Sequence, residues 1–379
     1  MKEKLKEFTK SDAFKSIITS IICALIGIVI GYIVLLVINP AHSLEGLADI
    51  LKGPFDSAKH EMRVTNFGTL LVKSSPLILA GCAILFAYKA GLFNIGAAGQ
   101  YVMGSCACFF FALKLNAPWI VCLLAAVLTS AIWAAIVGVL KAYLNVNEVI
   151  SGIMLNWIGL YITNEILRNP AIVDPHKSSE TFKIITKSPS SLLPNLGLDK
   201  LFNDNSLVTI GIILAIIVPI IIMIILNKTT FGYEIKATGN NKNAAKYAGM
   251  NEKRNIILTV AISGALTGLA ASVFYLTDIE YWTFPSSVPS MGFDGISAAF
   301  LGGLSPIGTI FSSLFIKYIQ IGGGNLDTSY YNAEIANMVT AIIIYLCAFV
   351  SFLKVILTKI INKIKERKEN EQKENKEAN

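Results

Sequence analysis

Few residues of this chain have the chemistry to act on a solute, and most of those stand singly in apolar sequence. Phe93 and Asn94 precede a small-residue stretch, Ile95-Gly96-Ala97-Ala98-Gly99, that Gln100 closes. Glu148, Asn156 and Trp157 share one run; Asp294 and Phe300 share another, rich in Gly and Ala. Amides, carboxylates and aromatic rings make and release hydrogen bonds and stack on flat solutes. Covalent chemistry needs more, and the usual motifs do not occur. The sequence has no G-x-x-x-x-G-K-[ST] loop for nucleotide phosphates, no H-E-x-x-H and no G-x-S-x-G. His42, His60 and His176 are isolated, and Cys106-x-Cys108 has the wrong spacing for a zinc knuckle. The expectation is a protein without an enzymatic site, a metal or a cofactor of its own.

One pattern adds geometry. At 100° per residue, Glu148, Gly152, Asn156, Gly159 and Thr163 fall within about 80° of one helix face. Polar groups inside an apolar helix are costly and mark paths for solutes. The same stripe of small residues and Asn suits a tight helix–helix seam. Both readings stand on sequence alone. The segments 93–98 and 293–299 also look weakly alike, as paired glycine-interrupted segments of a transporter do.

A second constellation is polar and basic. Residues 228–254 carry Lys228, Lys236, Lys242, Lys246, Lys253 and Arg254 against Glu234 and Glu252. Apolar runs flank this island on both sides, and an excess of Lys and Arg between spans marks the cytoplasmic face. Asn240-Asn241 reads as a turn and helix start. Asn243, Ala244 and Ala245 then begin a short helix that Gly249 stops in the left-handed region. About one helix plus turns is expected, lying on the inner membrane face.

Membrane helices are expected to hold these residues in place. Hydrophobic residues make up 54% of the 379 and charged residues 15%, where a soluble domain carries about 25%. Mean hydropathy is +0.61. The net charge of +7 gathers near the proposed inner segments, which speaks for topology and against nucleic-acid binding. Ten spans are expected, at 16–39, 70–88, 95–113, 118–140, 149–167, 207–226, 256–276, 291–304, 306–321 and 336–357. Both termini are then cytoplasmic. Residues 1–15 form a charged N-terminal segment, 16–357 one membrane domain, and 358–379 a charged tail. Segment 291–304 is short for a span, and a re-entrant hairpin there would change the count by one. Pro76 is expected to bend its helix. The aromatic stretch 281–285 fits an outer interface.

Four stretches carry a resemblance. Ala244-Ala245-x-x-x-Gly249 looks like the core of the cytoplasmic loop of importer permeases driven by ATP-binding cassettes, with Asn243 where many members carry Glu. Residues 90–100, 147–156 and 292–303 resemble the permease subunits of nucleoside-type importers, in the superfamily that also moves simple sugars and branched-chain amino acids. The likeness runs from about residue 69 to 350. It implies an all-α, polytopic protein of a bacterial cell membrane that uses no ATP itself. The implied partners are a second homologous permease, an ATPase with two nucleotide-binding domains and an extracytoplasmic substrate-binding lipoprotein. The ATPase would grip the loop at Asn240, Asn241, Asn243, Ala244, Ala245 and Gly249. The path would draw on Phe93, Asn94, Gln100, Glu148, Asn156, Trp157, Asp294 and Phe300. A nucleoside, with its apolar base and hydroxyl-rich ribose, suits such a mixture, although a sugar could use similar groups.

Overall fold

The computed structural model describes residues 12–57 and 59–331, with 338, 341, 342 and 345 besides. They fall into two compact units. One joins residues up to 48 with those from 326. It contains α1 (Asp12–Ile38) and the first turns of α2 (Ser43–Lys52). Within it the His42 ring stacks on Tyr330 at 3.7 Å, and Tyr331 Oη donates to the Asn39 carbonyl.

The other unit, 49–325, holds all the expected path and coupling residues. Its helices are α3 (His60–Lys89), α4 (Ala97–Phe109), α5 (Trp119–Leu144), α6 (Glu148–Leu167), α7 (Ile184–Lys187), α8 (Gly211–Lys228), α9 (Thr230–Asn240), α10 (Lys242–Tyr247), α11 (Glu252–Tyr275), α12 (Met291–Leu301) and α13 (Pro306–Gly324). Local chemistry sets several boundaries. The Asn147 side chain caps α6 by accepting from the Val149 and Ile150 N–H groups. Asn251 caps α11, and Ser305 with Pro306 behind it starts α13. Helix α3 continues for 30 residues with Pro76 inside it.

The described residues are all-α apart from one small antiparallel hairpin, β1 (Val173–Asp174) and β2 (Lys177–Thr181). The core is shared by Leu85 and Phe86 of α3, Ala134 and Val137 of α5, Ile222 and Leu226 of α8, Ile256 and Val260 of α11, and Ala299 of α12. Helix α3 is buried on almost every side, whereas α5 and α8 turn most of their apolar surface outward. Leu128 and Ile132 on α5 are 60% and 68% exposed. Such broad apolar faces on long helices belong against lipid or other membrane helices.

Among the described residues, four helices are long and apolar enough to cross a membrane: α3, α5, α8 and α11. Helices α12 and α13 meet that standard only as a pair, bent by 120° at their break. The segments expected at 291–304 and 306–321, as two spans or as a re-entrant hairpin, thus form one bent pair. The reason is local. Gly303 and Leu304 both take positive φ, which reverses the chain, and Ser305 and Pro306 begin a new helix. The first turn of α12 and the last turns of α13 line the same cavity, so the pair folds as a hairpin. Helices α4 and α6 are not among the four. The first loosens into a π-helical turn at Phe110–Lys114, and the second carries the polar stripe. The last expected span falls almost wholly outside the described residues, as does the charged tail.

Opposite ends of α8 and α11 carry the basic island and the segment 168–206. The latter is a folded cap. Thr181 N–H donates to the Trp282 carbonyl, and Trp282 N–H to Thr181 Oγ1. Trp282, expected at an aromatic interface, is only 1% exposed. Its Nε1 finds Asn164 Oδ1 at 2.8 Å, the partner that a buried indole requires. In a background without native cysteines, Lys246→Cys is expected to react only from the cytoplasm and Lys183→Cys only from outside. Impermeant thiol labelling of sealed cells and inverted vesicles decides this, and labelling of both from one side would sink the arrangement.

Candidate functional site

Asn94 and Gln100 form a reciprocal amide pair. Asn94 Nδ2 donates to Gln100 Oε1 at 2.9 Å, and Gln100 Nε2 donates back to Asn94 Oδ1 at 3.0 Å. The second Asn94 proton goes to Ser263 Oγ at 2.8 Å, and Ser263 donates to the Ala83 carbonyl at 2.7 Å. Ser130 Oγ donates to the Gln100 carbonyl at 2.7 Å. Both amides are buried, at 6% and 1% exposure. This closed network ties α3, α4, α5 and α11 together and satisfies the amides within the fold.

Gly152, Asn156, Gly159 and Thr163 of the stripe on α6 are buried, and their neighbour is α4. Asn156 Oδ1 accepts from the Gly99 N–H at 2.7 Å, and its Nδ2 donates to the Ile95 carbonyl at 3.1 Å. Thr163 Oγ1 reaches the Val102 carbonyl at 3.4 Å. The seam is thus the arrangement found for this face. Trp157 points the other way, 42% exposed and stacked on Tyr161 at 6.2 Å. Glu148 stands at the α5–α6 turn with its Oε2 2.8 Å from Lys141 Nζ. Phe93 and Phe300 meet at 6.5 Å, and Tyr88 packs edge-on against Phe300 at 5.3 Å. This aromatic group sits at the end of α3 nearest the island. The two similar segments differ in backbone: 293–299 is helical throughout, while 93–96 is a turn before α4.

Asp294 occupies different ground. It lines a cavity of about 880 Å³ at the end of α11 away from the island. Along a 24-residue helix, that is about 36 Å from the island. Lys73 and Lys317 line it with Asp278 and Glu280, and Phe274 and Tyr275 supply an aromatic wall. Asp294 Oδ2 accepts from Ser290 Oγ at 3.2 Å, and Lys317 Nζ donates to Gln320 Oε1 at 2.7 Å. Burial pushes the Asp278 carboxyl above the usual carboxylate range, against the opposing pull of the Ile185 N–H, Lys183 and the Ile184 N–H. Of the expected path residues, Asp294 alone reaches this cavity. The sequence held one signal for the rest: Lys73 and Lys317 are charges inside apolar runs, which are rarely idle. Nothing in a sequence shows that they face the same space. Among the described residues no group of three His, Cys, Asp or Glu side chains is arranged to hold a metal.

The island is built from two helices rather than one. They meet at Asn240-Asn241, where Asn241 is extended at φ −157° and cannot continue α9. The Asn241 side chain then caps α10 by accepting from the Asn243 and Ala244 N–H groups, both at 3.0 Å. At the other end Met250 N–H donates to the Ala245 carbonyl and Gly249 N–H to the Lys246 carbonyl, with Gly249 at φ +81°. This is the Schellman closure that glycine favours. Ala245 is buried against the fold, whereas Asn243, Ala244 and Gly249 are exposed and Tyr247 is 93% exposed. Helix α9 is seated directly on the turn that follows α3. A Cβ on Gly239 would lie 2.5 Å from the Lys89 carbonyl oxygen, and one on Gly91 would lie 2.9 Å from the Gly239 oxygen.

Residues 66–348 match the family described as branched-chain amino acid transport system / permease component. The chain is 32% identical to the guanosine ABC transporter permease protein NupP of Bacillus subtilis, over 92% of this chain and 97% of that protein. It is also 32% identical to the nucleoside ABC transporter permease protein NupB of Lactococcus lactis, over 91% and 94%. A glucose ABC transporter permease protein of Haloferax volcanii is 28% identical, over 78% and 79%. No solved structure matches the chain. The matched span takes in the amide pair, the α4–α6 seam, the cavity and the island, and over that span the protein belongs to the branched-chain amino acid transport system / permease component family, a family of membrane permeases with affinities here to both nucleoside and sugar importers.

Proposed function

We propose that this protein is one of two permease subunits of a nucleoside importer driven by a separate ATPase. The observation that carries this reading is the likeness, over nine-tenths of the chain, to two permeases named for guanosine and for nucleosides. The ATPase grips the exposed side of α10 and its flanks, from Asn240 to Asn251, on the cytoplasmic face. Its closing and opening rock the helices about the seated α9. A substrate-binding lipoprotein outside captures the solute and delivers it to the opposite face. The chain itself hydrolyses nothing. Because capture happens on the binding protein, the permease needs only weak contacts with its cargo.

A sugar permease of the same build is the second reading, favoured by the glucose permease relative. Uptake of labelled guanosine, adenosine, ribose and galactose by cells carrying the complete transporter separates the two. Guanosine or adenosine is expected to enter, and uptake is expected to vanish when the ATPase partner is deleted. Competition by ribose or galactose but by no nucleoside would refute the nucleoside assignment. Uptake driven by a proton gradient in liposomes holding this chain alone would overturn the importer reading altogether.

A further inference from the structure

The cavity at the far end of α11 gathers five charged side chains in one lining, three of them half-buried and two exposed. A charge at membrane depth is costly unless it is paired or faces a water-filled space. Here two ammonium groups, Lys73 and Lys317, and three carboxylates, Asp278, Glu280 and Asp294, share one lining. Acid therefore exceeds base. Lys317 is already committed to Gln320 at 2.7 Å. Asp294 is engaged through one oxygen only: among the described residues Ser290 alone donates to it, at 3.2 Å. A carboxylate is an acceptor with two oxygens, so Asp294 has one left to accept from a ligand hydroxyl. The aromatic wall of Phe274 and Tyr275 offers a flat apolar face beside it. A volume of about 880 Å³ suits a small solute, within the range of about 300–1,000 Å³ for ligand sites.

We propose that this cavity is where the chain receives its cargo, that it takes an uncharged, hydroxyl-bearing solute through Asp294, and that it turns away the phosphorylated form of the same solute. A phosphate brings about −1.5 to −2 charges and only acceptor oxygens. It would bring that charge to a lining whose carboxylates outnumber its ammonium groups by three to two, and its own oxygens would have no proton to give Asp294. A sugar hydroxyl, alone or in a nucleoside, donates to Asp294 and brings no charge. The inference rests on the importer reading above but not on which solute is imported. It also separates two kinds of polar group. The amides of Asn94, Gln100 and Asn156 are consumed by the fold, while the carboxylate of Asp294 is held open.

The test uses the complete transporter in proteoliposomes, in a background without native cysteines. Ile321→Cys places a thiol in the cavity lining, and an impermeant methanethiosulfonate reagent is added from outside. Its reaction is expected to slow several-fold when the binding protein delivers guanosine, and to be unchanged by guanosine monophosphate. Separately, Asp294→Asn is expected to lower uptake about tenfold, the loss of one charge-assisted hydrogen bond. Co-purification of the partners shows that this variant assembles. A thiol at 321 that external reagent never reaches, or that cargo does not protect, overturns the proposal. So does protection by the monophosphate equal to that by the nucleoside, or an Asp294→Asn variant with full uptake. If the wild-type transporter imports a sugar and no nucleoside, the nucleoside reading falls. The same measurements with that sugar and its phosphate then decide the cavity by the same outcomes.

Discussion

Asn94→Leu is expected to destabilise the protein and to lower maximal uptake together, with little change in apparent substrate affinity. The substitution removes three hydrogen bonds at once. It leaves the Gln100 amide buried, its oxygen and nitrogen both without their partner. Each unsatisfied buried group costs about 1–3 kcal/mol, so a loss of about 2–6 kcal/mol is expected. Gln100→Leu should cost a similar amount from the other side. The double variant should cost clearly less than the sum, because two apolar side chains strand no amide; a coupling above about 1 kcal/mol is expected for a contact of this kind. Unfolding of the purified protein in detergent measures all three, and transport assays give the rate and the affinity. Strictly additive losses would show that the pair does not act as a unit. A rise in apparent Km without a loss of stability would return Asn94 to direct contact with cargo.

The second large effect is expected at the seat of the island. Gly239→Val puts a branched side chain where a Cβ alone would approach Lys89 O, Ala90 C and Gly91 N to 2.5, 2.7 and 2.8 Å. All three are backbone atoms and cannot swing aside as a side chain can. Helix α9 must lift from the α3 turn, and that turn carries Asn94 three residues after Gly91. Transport is expected to be lost, with the protein still inserted in the membrane and ATP hydrolysis by the complex no longer responsive to the loaded binding protein. Gly249→Val makes the contrast. Nothing lies within 4 Å of a Cβ there, so only the positive φ opposes the change, at about 1 kcal/mol or more. Its effect should fall on ATPase docking and be the milder of the two. Uptake, co-purification and ATPase stimulation distinguish these outcomes. Equal transport by the Gly239→Val variant and the wild type would show that α9 does not need its seat.

How much could be read in advance depended on the range of the interaction. The long apolar runs dictate an all-helical membrane protein, because in lipid every backbone N–H and C=O must be paired within its own segment. The ends of α10 were legible too, since Asn241 and Gly249 act on atoms two to five residues away. The buried face of α6 followed from helical period alone. What covers that face did not: Asn156 meets Gly99, 57 residues distant, and that contact makes the stripe a seam. The amide of Asn94 looks the same in a path or in a lock. The difference is whether Gln100 and Ser263 can reach it, and Ser263 lies 169 residues away. The hairpin of α12 and α13 turns on the positive φ of Gly303 and Leu304, and for Leu304 no side-chain type announces that backbone. The far-side cavity is the extreme case. Its charges come from α3, the turn after α11, α12 and α13, so no single stretch carries its pattern. What each segment is, and which face it buries, can be read along the chain, because both follow from transfer free energy and helical repeat. Which polar groups are used up holding helices together, and which are left facing open space, emerges only on folding, because that depends on partners brought together from distant parts of the chain.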